Sequence, residues 1–151
     1  MAAQPKHLKK LRQFPKLVKK NNDVKSDIDK KYNCIAFAAG RTDKKIWPSY
    51  HPDHYWPPDV PRSNDDLDSL INLFTSQNYV RCQSGDFEKG YEKIAIYTLA
   101  SGRPTHAARQ IGKNKWVSKL GEYYDIEHAK EAVSGGDYGE MKIFMRREKT
   151  D

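Results

Sequence analysis

Cys34 stands directly behind Asn33 at the head of "NCIAFAAG", a run of small and apolar residues over 33–40. Asn33 suits a helix N-cap, Gly40 suits the helix end, and the residues between are apolar enough to be buried on all sides. A thiol at a helix start is a candidate nucleophile. It titrates ordinarily at about 8.5, and the unpaired N–H groups and partial positive charge of the helix N-terminus favour the thiolate. The same N–H groups suit the oxyanion of a tetrahedral intermediate. The alternatives are a buried small hydrophobe, a metal ligand, or half of a disulfide with Cys82, the other of the two cysteines.

A thiolate nucleophile works with an imidazole. Of the five histidines, His7 lies in a basic N-terminal segment, His51 and His54 lie in a proline-rich loop, and His128 follows "DIE". His106 opens the predicted strand "THAARQI" (105–111), where Ala107 and Ala108 leave room for another element to pack close. A third group would orient the ring from the neighbouring strand "KWVSKLG" (115–121) across the turn "GKN". With a three-residue loop, His106 shares a face with Trp116, Ser118, Leu120 and Glu122, and Glu122 or Ser118 orients it. With a two-residue loop the register slips by one. Lys119 and Gly121 then share that face, and Gln110, Asp125 or His128 takes the role. Glu122 is the favoured choice.

A zinc reading rests on "HPDH", which sets His51 and His54 three apart, with Asp53, Cys82 or His106 to complete the shell. Pro52 excludes the helical spacing of many short histidine motifs, and neither C-x-x-C nor H-E-x-x-H occurs. No metal and no cofactor is expected. "SGGDYG" (134–139) lacks the lysine of a phosphate loop and reads as a turn.

The elements that must position these residues follow from patterning. Asn64, Asp65 and Asp66 begin a helix over 64–78 with Leu67, Leu70, Ile71 and Phe74 on one face. Strands are predicted at 79–82, 92–98, 105–111, 115–121, 123–128 and 141–147. Between the two helices, residues 41–63 hold five prolines, which exclude regular structure. Trp47, Tyr50, Tyr55 and Trp56 in that loop form one wall of a cleft or pin the loop to the core. Helix, helix, then an antiparallel meander is an α+β pattern.

The 151 residues suffice for one domain with its own core, and 17 aromatic rings supplement a hydrophobic content of 37%. No stretch approaches the roughly 20 apolar residues of a membrane span, and the N-terminus does not read as a secretory signal. A cytoplasmic location is expected, with delivery as an effector by another route left open. Residues 1–31 carry ten lysines and arginines against three aspartates, which accounts for the whole net charge of +7. Residues 32–151 therefore sum to zero, and the nucleic-acid reading rests on the basic segment alone. That segment, 1–30, reads as a solvated tail or leader, or as the contact for an anionic partner.

The motifs "NCIA" (33–36), "YWP" (55–57), "HAARQ" (106–110) and "W-x-S-K-L-G" (116–121) resemble a poorly characterised, mostly bacterial family of papain-like, NlpC/P60-like cysteine hydrolases. The resemblance covers about residues 32–146. It implies a papain-like α+β domain over 31–151 with N-terminal helices packed on an antiparallel sheet, Cys34 as nucleophile and His106 as base. The expected activity is thiol-dependent acyl transfer on a peptide or protein substrate: peptidase, amidase or deamidase. Glu122 completes the expected catalytic set. Asn33, Trp47, Tyr55, Trp56, Trp116 and Ser118 are the expected substrate contacts, with Asn33 also suited to a cap or backbone clamp. The competing expectation is a non-catalytic binding module. There Cys34 and His106 are core residues, and the basic segment and aromatic loop meet a protein or nucleic acid.

Overall fold

A computed structural model describes residues 22–24, 30–120, 125–130 and 132–150. The elements among them are β1 (Asn22–Val24), α1 (Cys34–Ala38), α2 (Leu67–Ser76), β2 (Val80–Cys82), β3 (Tyr91–Thr98), β4 (Pro104–Gly112), β5 (Lys115–Lys119), β6 (Asp125–His128) and β7 (Glu140–Glu148). The strands form one antiparallel sheet in the order β1-β6-β5-β4-β3-β7-β2. The expected elements fall within a few residues of their places. The expected fold class does not hold.

A papain-like arrangement with helices packed on a sheet is overturned by a fold that is mostly antiparallel sheet with two short helices, of five and ten residues. The physical reason lies in the connections. The five prolines of residues 41–63 leave that long stretch outside helix and strand, apart from the single bridge Ile46–Tyr55. At the other end, the glycine-rich stretch after β6 closes over the sheet as turns. Part of the basic N-terminal segment also joins the sheet, as Asn22–Val24 pairs with Ile126–His128.

The sheet is buried on both faces. One face carries Ile94, Ile96, Ala107, Ile143 and Met145 under α1 and α2, whose Ile35, Ala36, Leu70, Leu73 and Phe74 complete that core. Burying such side chains stabilises by about 1.5–3 kcal/mol each. The opposite face carries Ala95, Tyr97, Ala108, Trp116 and Ile126, covered by Ala132, Val133, Tyr138 and Met141. Alternation along each strand assigns neighbouring residues to different cores. Across β3 and β4, Ile96 pairs with Ala107 on the helix side, and Tyr97 pairs with His106 on the other.

The β4–β5 hairpin combines both expected registers. Gly112 pairs with Lys115 around a two-residue turn, Lys113–Asn114, with Asn114 at φ 50°. A bulge at Ile111 then restores the register of the longer loop, so Gln110 faces Trp116 and Arg109 faces Val117. Trp116 and Ser118 thus emerge on His106's face, and Lys119 on the helix face.

Candidate functional site

Asn33 caps α1 and clamps the proline-rich loop. Its Oδ1 accepts from Ala36 N at 3.0 Å and from Ile46 N at 3.1 Å, and its Nδ2 donates to the Ile46 carbonyl at 2.8 Å. That satisfies one orphan helix N–H and fixes the loop against the helix start. Expected as a substrate contact, Asn33 has all three of these bonds inside the protein.

Cys34 follows at the first helical position and is 6% exposed, inside the helix-side core. Burial raises its thiol to about 11, outweighing the backbone N–H groups and the charge of Lys119, which pull the other way. The thiol is therefore protonated at pH 7. The positive helix end is present, but desolvation of the anion wins. Both cysteines are free, so no Cys34–Cys82 disulfide forms.

His106 is 0% exposed and lies on the other face. Its ring stacks on Tyr138 with centroids 3.9 Å apart and planes 8° apart, and meets the edge of Tyr97 at 5.0 Å. Neither ring nitrogen has a hydrogen-bond partner among the described residues. Burial drives its pKa well below the usual histidine value, with His128 adding in the same direction. The residue opposite α1 on this strand is Ala107. Cys34 and His106 therefore do not form the expected nucleophile–base pair: the strand runs between them.

The remaining candidates divide as well. Glu122 lies outside the described residues. Ser118 hydrogen-bonds His128, whose Nε2 is 2.8 Å from the serine Oγ while its Nδ1 lies 2.8 Å from the Ala129 carbonyl. The carbonyl requires the proton on Nδ1, so Nε2 accepts from the serine hydroxyl. This is the geometry of an activated serine, yet Ser118 is 0% exposed and His128 2% exposed, so no substrate atom reaches it. Burial lowers His128 to about 4. Gln110 donates to the Gly85 carbonyl at 2.7 Å, and Asp125 accepts from the Tyr32 hydroxyl at 2.5 Å. Neither orients His106.

The aromatic residues expected to line one cleft are split between the two faces. Trp47, Tyr55 and Trp56 pack with the helix-side core, and Trp116 is wholly buried in the other. Trp47 Nε1 donates to Asp65 at 2.5 Å, and Trp56 Nε1 to the Val60 carbonyl at 2.9 Å. These rings pin the loop to the core. Sequence reasoning missed Tyr138, the ring that covers His106, because "SGGDYG" reads only as a turn.

An open groove of about 490 Å³ forms where the basic N-terminal segment enters the domain. Lys31, Asp43, Lys44, Lys45, Asp53, His54 and Tyr55 are among the residues that line it. The Ile46–Tyr55 bridge and the Asn33 clamp hold its walls together. Arg41 binds Asp43 through two contacts of 3.0 Å, and Lys44 Nζ lies 4.1 Å from the Tyr55 ring centroid. His51 and His54 have ring centroids 5.4 Å apart, but no group of three or more metal-ligating side chains comes together among the described residues. No helix among those residues is long and apolar enough to cross a membrane.

Residues 23–146 match the family model of a domain of unknown function, DUF7689. No curated protein and no solved structure matches the chain. Nothing in the family match links the chain to papain-like or NlpC/P60-like enzymes.

Proposed function

The chain thus belongs to the DUF7689 family, and we propose that it is a non-catalytic binding module whose basic N-terminal segment and proline-rich loop contact an anionic partner. The observation that carries this reading is the groove at the junction of the two. Lys31 ends the segment that holds the whole net charge, and it meets Lys44, Lys45 and His54 of the loop in one open recess. The lysines gathered there attract a polyanion at long range and hold it at short range. Two carboxylates line the same recess and offset part of that charge: Asp43, which is engaged by Arg41, and Asp53. The thiol reading lacks a comparable support: its two members are on different faces of the sheet, and each is sealed in a core.

Titration of the full chain with fluorescently labelled heparin tests the proposal. Binding that weakens steeply between about 50 and 200 mM salt, and that is lost in a Lys16→Glu/Lys19→Glu/Lys20→Glu variant, supports it. Absence of binding at low salt overturns it, as does amide or ester turnover that disappears in Cys34→Ala.

A further inference from the structure

We propose that the anionic partner is a single-stranded nucleic acid, whose phosphates follow the groove and one of whose bases stacks on Tyr50; this rests on the binding-module reading above. Tyr50 is the first observation. It is 70% exposed, the most exposed large hydrophobic side chain of the described residues. The Arg62 guanidinium lies 4.1 Å from its ring centroid. A planar cation on one face of an exposed ring makes a platform, and a nucleobase extends such a stack.

The platform is close to the groove in sequence. Tyr50 is followed by His51, whose ring lies 5.4 Å from that of His54, and His54 lines the groove with Lys44 and Lys45. The His54 Nδ1 lies 2.6 Å from the Ser49 hydroxyl, whose oxygen also accepts from His51 N. Burial lowers the His54 pKa, with His51 and Lys45 adding to the shift and Asp53 and Asp65 opposing it. Lysines supply the charge, and Asp43 and Asp53 line the groove with them.

The combination separates this partner from other polyanions. An acidic protein surface offers carboxylates to the lysines but no planar ring to Tyr50. A duplex offers phosphates, but its bases are paired and stacked away from the protein. A single strand presents both groups at once.

Fluorescence anisotropy of the full chain with a fluorescein-labelled 20-nucleotide thymidine strand tests this. A duplex of equal length and poly-L-glutamate serve as competitors. The single strand is expected to bind at least tenfold tighter than either. Tyr50→Ala is expected to weaken it about tenfold with the salt dependence unchanged, and Tyr50→Phe to restore binding. Lys44→Glu/Lys45→Glu is expected to flatten the plot of log affinity against log salt by about one to two. Tyr50→Ala binding like the parent, with its fold intact by circular dichroism, overturns the stacking site. Equal binding of all three polyanions overturns the nucleic-acid assignment and leaves the binding-module reading standing. Binding of none overturns both.

Discussion

The imidazole of His106 lies flat against Tyr138 with ring centroids 3.9 Å apart, on the face of the sheet opposite Cys34. Packing rather than hydrogen bonding holds it, since neither ring nitrogen has a partner among the described residues. Buried polar atoms without partners cost stability, whereas an apolar ring of similar shape does not. His106→Phe is therefore expected to leave the unfolding free energy unchanged or to raise it by up to about 2 kcal/mol. His128→Phe breaks the Ser118 and Ala129 hydrogen bonds and is expected to cost about 2–4 kcal/mol. Urea titrations of the two variants give the comparison. A larger loss for His106→Phe would contradict the packing role.

Cys34 should behave as a core residue. In a Cys82→Ser background, iodoacetamide is expected to modify it no faster than the protein unfolds, and with no inflection below pH 9. The rate should rise as urea is added. His106→Ala should not shift the pH dependence of the alkylation. Rapid native-state labelling at pH 7 would show that the sulfur is neither sealed nor protonated.

Asn33 joins α1 to the loop by three hydrogen bonds, two of them to Ile46. Asn33→Ala loses the cap and both clamp bonds, and is expected to cost about 2–4 kcal/mol. Asn33→Asp keeps the acceptor and loses the donor, so an intermediate cost is expected. Because Ile46 pairs with Tyr55 at the groove, Asn33→Ala should also weaken polyanion binding, while Asn33→Asp should do so less. Urea titration and anisotropy of the same variants read the two effects. Equal stability of all three proteins would remove the clamp.

Much of this architecture was legible from local chemistry. The Asn33 cap, the 3.6-residue apolar repeat of α2 and the alternation of β7 are signals carried by a few neighbouring residues, and each element formed where they pointed. The pairing of Cys34 with His106 was not such a signal. It depended on which face of β4 the helix covers, and a strand assigns residues 106 and 107 to opposite faces whichever way it is laid down. Ala107, the smaller residue, faces the helix, which allows α1 to approach closely. Asp125 was legible only as an alternative for an orienting group, and Lys119 only as a residue that a slipped register would place on His106's face. They are register partners on the helix face, and Lys119 Nζ lies 4.8 Å from the ring centroid of Tyr32.

Gly139 fixes the turn that carries Tyr138 over His106. It has φ 74°, and a Cβ there would stand 2.1 Å from the Thr98 carbonyl oxygen. That oxygen belongs to backbone, as do the next nearest atoms, Thr98 C and Leu99 Cα, so it does not give way cheaply. Gly139→Ala is expected to cost about 3 kcal/mol or more and to expose the His106 ring to diethylpyrocarbonate. Gly102→Ala is the control: φ is 89°, but nothing lies within 4 Å, so only the conformational cost of about 1–2 kcal/mol applies. Equal losses for the two variants would show that the Thr98 contact does not hold the turn.

The two buried histidines make stability depend on pH with a definite sign. His128 is lowered to about 4 and His106 well below the usual histidine value, in both cases first by burial. The unfolded chain takes up these protons near pH ~6.5, and the folded chain does not. Stability is then full above about pH 7.5 and falls as pH drops below ~6.5, by up to about 1.4 kcal/mol per pH unit for each ring. The fall due to His128 ends near pH 4, where the folded form also protonates. His54, lowered by partial burial, adds in the same direction and less. Urea titrations at pH 7.5, 6.0 and 5.0 measure the slope, and His106→Phe should remove close to half of it. A slope that survives in full would mean that His106 is charged in the folded protein, contrary to a ring enclosed by two tyrosines.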